Sequence, residues 1–181
     1  MSENNPLFTG VKPGQTFMIG DMEFIRFADT PEGTPVVLKD IAFNSRFGDN
    51  NDFRSSDILK KLQEEFLPQI IEAVGDENVL EFETDLTTLD GLKNYGTLKS
   101  RISLPNLDFY RANAEIFDKY NPDCYWWLAT ADSAKPRYNP TWVLCVSPSG
   151  LIIRGGDCCN VSCGVRPFCI LKSSIFESFE E

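Results

Sequence analysis

The constraint that most narrows the fold is where the two hydrophobic periodicities fall along the chain. Turn-bounded, β-rich segments occupy the first and last thirds, and helical spacing is confined to the middle. Residues 16–28 (TFMIGDMEFIRFA) are rich in β-formers and broken by Gly20-Asp21, which predicts a hairpin. Thr30-Pro31-Glu32-Gly33 reads as a turn, and residues 35–39, with Val36 and Val37, as a third strand. After the polar loop 48–52, Ser55 or Ser56 can cap a helix on which Ile58, Leu59, Leu62 and Phe66 share one face. Pro68 breaks or restarts that helix, and Ile70, Ile71 and Val74 continue its apolar side.

A second helix is expected over residues 107–120, capped by Asn106, with Leu107, Tyr110, Ala114 and Phe117 in phase. Strands return at residues 126–129, 142–146 and 151–154, the last two joined at Ser147-Pro148-Ser149-Gly150. A final strand is expected over 165–171. The expected fold class is therefore α+β, one domain over residues 14–172 with mixed or antiparallel sheets and two main helices. Its first and last strands share a sheet. Residues 1–13 read as a loose arm and 173–181 as an acidic tail.

Composition removes whole classes of chemistry. Among 181 residues there is no His, which excludes Ser-His-Asp and Cys-His catalysis and His-ligated zinc. Seventeen Lys and Arg against 27 Asp and Glu give a net charge of -10, which argues against direct binding to nucleic acid or to an anionic membrane. Fourteen Phe, five Tyr and three Trp supply a sizeable core. The first residues lack a basic segment followed by an apolar one, so secretion by a signal peptide is not expected, and no apolar run is long enough for membrane insertion. A reducing cytosol is expected, where six Cys read as free thiols.

Several clusters have ordinary explanations. Cys158, Cys159 and Cys163 form one C-x₃-C pair where structural zinc wants two, and Cys145 and Cys169 lie in strand-like runs. Residues 49–52 (Asp-Asn-Asn-Asp) look calcium-like, but Phe53 and Arg54 stand where a calcium loop needs a ligand and a Gly. Glu81, Glu83, Asp85 and Asp90 read as a solvated acidic face, and Gly155-Gly156 precedes Asp157 rather than a helix. No metal, no cofactor and no enzymatic activity are expected. Trp126 and Trp127 point to opposite faces of a strand, so at least one belongs to the core. Arg166, between apolar neighbours, is read as a structural residue bonded to carbonyls. The candidate ligand-binding set is Tyr138, Asn139, Trp142, Arg154, Asp157, Asn160 and Ser162, a mixture of aromatic, polar and Arg residues in or beside loops.

The ordered set Trp126-Trp127-Leu128, Val143, Val146, Ser149-Gly150 and Gly164-Val165-Arg166-Pro167-Phe168 resembles a family of uncharacterised bacterial and prophage domains with a "WWL … GVRP" signature. Gly14-Gln15-Thr16-Phe17, Ile19-Gly20, Leu38-Lys39-Asp40 and the helix over 56–66 extend the resemblance to most of the chain. It implies a C-type-lectin-like fold, with Trp126, Trp127, Gly164, Arg166 and Pro167 as structural residues. In phage receptor-binding and retroelement-diversified proteins of that fold group, the segment equivalent to residues 138–162 carries the ligand-binding face. Formylglycine-generating enzymes also belong to the group, but Cys158 and Cys163 do not align with their active-site pair. The Glu-Pro-Asn, Gln-Pro-Asp and Trp-Asn-Asp triplets of calcium-dependent lectins are absent.

The function expected on this resemblance is a phage- or prophage-associated, non-enzymatic module, in the cytoplasm of a bacterial host or in a virion, that binds a protein ligand, with homo-oligomerisation left open. The alternative is a small acidic inhibitor of a host nucleic-acid-handling defence system such as a CRISPR nuclease, its charge matched to a host protein with a basic surface.

Overall fold

The computed structural model describes residues 7–135, 141–157 and 161–177. Its class is α+β, dominated by sheets. Strands β1 (Thr16–Ile19), β2 (Met22–Arg26) and β3 (Thr34–Leu38) form consecutive antiparallel hairpins. Gly20, at φ +56°, supplies the left-handed first residue of the two-residue turn between β1 and β2. The last strand, β11 (Phe168–Leu171), adds to β3 with Cys169 opposite Val36, so chain positions far apart close one four-stranded sheet, β1-β2-β3-β11.

The second sheet is mixed, in the order β4-β10-β7-β8-β9. It joins β4 (Phe43–Ser45), β7 (Trp126–Ala131), β8 (Trp142–Val146), β9 (Ile152–Asp157) and β10 (Cys163–Val165). β10 runs parallel to β7 through Gly164 opposite Trp126 and antiparallel to β4. A small hairpin pairs β5 (Phe82–Asp85) with β6 (Thr97–Ser100). The sequence pattern did not mark β4, β5 or β6, because each is short and only partly buried.

There is one main helical segment rather than two main helices. α1 (Asp57–Lys61) starts at Ser56, whose Oγ accepts the Leu59 N–H at 3.0 Å. A π-helical stretch, Leu62–Phe66, leads into α2 (Leu67–Val74), which carries Pro68 in its first turn. Proline has no N–H for an ordinary α-helical bond to the preceding turn, and the wider turn absorbs that loss without ending the helix. The second expected helix divides at Asn113 (φ -125°, ψ 27°) into α3 (Leu107–Ala112) and α4 (Ala114–Lys119). Asn106 caps α3 by accepting from the Phe109 N–H, and the Asn113 side chain donates to the Phe109 carbonyl. That second bond satisfies the end of α3 and lets the chain change direction.

The expected final strand over 165–171 also divides. Proline cannot donate to a ladder, and at Arg166-Pro167 the chain leaves the second sheet and enters the first. The packed unit extends beyond residues 14–172 at both ends. Phe8 packs against Phe17 and Phe176, and its N–H bonds the Ile175 carbonyl. Ile175 and Phe176 are buried in a 3₁₀ turn, Ser173–Phe176. Both segments are held by aromatic side chains that the polar residues around them obscured in the sequence.

Strands β3, β7 and β11 of the four- and five-stranded sheets are buried on both faces. Phe24, Val36, Trp127, Ala129, Val143 and Cys145 face one apolar cluster with Ile58, Leu62 and Ile70 of the main helix. Ile25, Val37, Trp126, Leu128, Leu144 and Val146 face a second cluster, closed by Leu107, Tyr110 and Phe117 of α3 and α4. Trp126 and Trp127 are both fully buried, one in each cluster. Among the described residues no helix is long and apolar enough to cross a membrane.

Arg166 stands where the two sheets meet. It is fully buried, donates from Nε to the Leu38 carbonyl at 3.0 Å and from Nη2 to the Lys39 carbonyl at 2.9 Å, and lies 4.5 Å over the Trp126 ring. The guanidinium thus ties the crossover to the end of β3. Gly164 is equally restricted, since a Cβ there would come within 2.5 Å of Ile41 Cδ1.

Candidate functional site

The open end of the β7–β8–β9 meander holds a cavity of about 510 Å³ lined by Leu89, Asp90, Asp132, Ser133, Lys135, Trp142 and Arg154. Local irregularity in the sheet shapes it. The pairing of β7 with β8 shifts register between Trp127 and Ala131, and that of β8 with β9 shifts between Val143 and Cys145. Such bulges re-aim side chains at the end of a ladder. Trp142, the first residue of β8, remains 46% exposed although the rest of its strand is buried.

The floor is tied to a distant loop. Asn51, almost fully buried, donates from Nδ2 to the carbonyls of Ser133 (2.9 Å) and Trp142 (3.2 Å) and accepts from the Tyr95 hydroxyl (2.5 Å). The Trp142 carbonyl also accepts the Asp132 N–H at 3.0 Å, and the Leu89 N–H bonds the Ala131 carbonyl at 2.9 Å. Bonds among residues 51, 89, 95, 131–133 and 142 thereby fix the cavity. The loop carrying Asn51 is itself capped: Asp52 accepts the Arg54 N–H and pairs with the Arg54 guanidinium, and Arg46 pairs with Asp49 and Asp57. Its carboxylates are occupied by Arg.

The charged groups of the cavity are paired. Arg154 forms a two-point fork with Asp132 at 2.7 and 2.8 Å. Asp90 accepts from the Thr88 hydroxyl (2.5 Å) and the Ser133 hydroxyl (2.8 Å), with Lys135 Nζ at 3.4 Å. The Thr88 bond, foremost, holds the Asp90 carboxyl below the usual carboxylate range, so it is ionised at neutral pH. Two carboxylates and two cations leave the lining neutral. They form a stiff polar frame around an exposed indole, suited to recognition by shape and hydrogen bonding.

Of the candidate ligand-binding residues, Trp142 and Arg154 come together here, and Asp157 lies opposite Trp142 in the β8–β9 ladder. Ser162 is exposed ahead of β10 and does not line the cavity. Tyr138, Asn139 and Asn160 lie outside the described residues, as do Cys158 and Cys159. Sequence reasoning missed Asn51, Leu89, Asp132, Ser133 and Lys135, and it placed Asp90 on a solvated face. For Asn51 no local signal exists, because its partners lie 44, 82 and 91 residues away.

Three of the described thiols are unlike reactive ones. Cys145, Cys163 and Cys169 are buried. The bond to Cys145, with burial, raises the Cys163 thiol, and burial pushes Cys169 up to about 12. Among the described residues no group of three or more Cys, Asp or Glu could hold a metal ion. Comparison with protein-family models, with curated proteins and with solved structures finds no match to this chain.

Proposed function

We propose that the chain is a non-enzymatic binding module of C-type-lectin-like architecture, phage- or prophage-associated, whose Trp142–Arg154 cavity takes a protein ligand. The observation that carries the reading is Trp142. A large aromatic side chain stands 46% exposed on a residue whose carbonyl accepts two hydrogen bonds, from the Asn51 side chain and the Asp132 N–H, beside an Arg held by a carboxylate fork. Trp and Arg dominate binding energetics at protein interfaces: Trp buries much area from two rotatable bonds, and the carboxylate fork and fixed backbone here lower the ordering cost of Arg154 and Trp142. The resemblance of the WWL and GVRP segments to the C-type-lectin-like group supports the same placement of the binding face.

The test is capture of partners by the tagged full chain from soluble and envelope fractions of host lysate, washed at low and high salt. Affinity is then measured for Trp142→Ala and Arg154→Ala. Each substitution is expected to weaken binding at least about tenfold, the factor that corresponds to 1.4 kcal/mol. An identified ligand whose affinity neither change alters removes the reading. A partner that handles nucleic acid and dissociates at high salt favours the inhibitor alternative, in which the net charge of -10 faces a basic groove.

A further inference from the structure

A second cavity, sharing no lining residue with the Trp142 site, lies where the 30–33 turn, β5, β11 and α3 meet. Its volume is about 340 Å³, and three rings contribute to its walls. Phe82 and Phe109 both stand edge-on to Phe168, with centroids at 5.2 and 4.9 Å and planes inclined at 75° and 71°. The three rings pack together as the aromatic cup of the cavity, Phe109 half-buried and Phe82 and Phe168 almost fully buried. The cup is rigid: Phe109 is backed by Phe27 and Phe117, and the Phe168 backbone exchanges two hydrogen bonds with Ser103.

The polar groups around it are unequal. Thr84 donates to the Ser103 hydroxyl, Thr30 donates to the Gly33 carbonyl, and the Asn106 side chain is spent on Phe109 and Asp85. Neutral partners are thus already used within the protein. Glu32 and Glu83 also line the cavity, and neither has an ion-pair partner among the described residues. Lys99, opposite Glu83 across the hairpin, pairs instead with Glu81. Among the described residues no Lys or Arg lines the cavity.

We infer that this cup binds an organic cation of the alkylated-ammonium class. Aromatic faces attract a weakly hydrated cation through the ring quadrupole, and carboxylates at the rim reinforce that attraction without demanding a strong donor. A fatty acyl chain would desolvate the carboxylates for nothing, and a sugar would find the neutral donors and acceptors already engaged. The quaternary ammonium group can come from a free small molecule or from a methylated lysine side chain. The shared chemistry is what the site recognises.

The experiment is an NMR titration of the full chain with choline chloride and with 3,3-dimethyl-1-butanol, its uncharged carbon isostere, at constant ionic strength. Saturable shifts are expected at the amides of Glu83, Thr84, Phe109 and Phe168, with the isostere at least about tenfold weaker. Glu32→Gln/Glu83→Gln, two exposed positions, should weaken choline by about the same factor without changing Tm. Phe109→Leu keeps an apolar wall but removes a ring, and should weaken choline more than the isostere. A trimethyllysine peptide that binds tighter than choline assigns the group to a protein side chain, and one that binds no tighter assigns it to a free ammonium compound. Absence of saturable shifts at those amides, or equal binding of the isostere, overturns the inference.

Discussion

Replacing Arg166 separates the value of its planar fork from the cost of burying its charge. Burial lowers the guanidinium pKa to about 10, and because the folded chain releases this proton at lower pH than the unfolded chain, burial disfavours the charged form. The cost is complete below about pH 10 and fades as pH rises past it, and it amounts to about 3 kcal/mol. Against it stand two bonds from a charged donor, about 1.5–3 kcal/mol each. The Trp126 face adds up to about 2 kcal/mol. Arg166→Met removes the charge and its cost but strands the Leu38 and Lys39 carbonyls, for a net loss of about 2–3 kcal/mol. Arg166→Lys keeps the buried charge and loses the fork, so it should cost more, about 4 kcal/mol. Urea unfolding followed by tryptophan fluorescence, with unchanged m-values, measures both. A Met variant as stable as the parent would show that the fork contributes nothing net. A Lys variant more stable than the Met variant would show that the site needs a charge rather than a planar donor, and the reasoning above would fail.

Three further outcomes are expected. Gly164→Ala should cost about 1–3 kcal/mol by overpacking against Ile41, and Ile41→Val in the same chain should recover part of it; an unchanged Tm would contradict the contact. Asn51→Leu removes the bonds to the Ser133 and Trp142 carbonyls and from the Tyr95 hydroxyl and should cost about 2–3 kcal/mol, with faster hydrogen exchange at the Leu89 and Asp132 amides; unchanged exchange would mean that the clamp does not hold the cavity. Cys145, Cys163 and Cys169 should resist iodoacetamide in the native state at pH 8 and react in urea, read site by site by mass spectrometry, because burial pushes Cys169 up to about 12 and the Cys145 bond raises Cys163. Rapid native labelling of Cys163 would revive a thiol-based activity.

The parts of the fold legible in the sequence are those written locally. The β1–β2 hairpin announces itself through Gly20-Asp21 and flanking β-formers, and the main helix through the Ser56 cap and the phase of Ile58, Leu59 and Leu62. Where the outcome depends on distant partners the pattern is silent. The division of residues 163–171 between two sheets follows from what lies beside each half, Trp126 and Phe43 for one, Val36 and Val37 for the other. At the candidate site the same limit applies. Trp142 and Arg154 stand out by residue type, whereas Asn51 and Asp132 matter only through contacts that the fold brings together.

The pairing of β11 with β3 also sets an order of assembly. Cys169 meets Val36 only after the intervening chain has been made, so β3 presents an open, Val-rich edge throughout most of synthesis. Closing so long a loop is entropically costly and delays folding, and until then that edge is the place where the nascent chain is most exposed to pairing with a second copy of itself. The strand that completes the native sheet is therefore also its protection against aggregation.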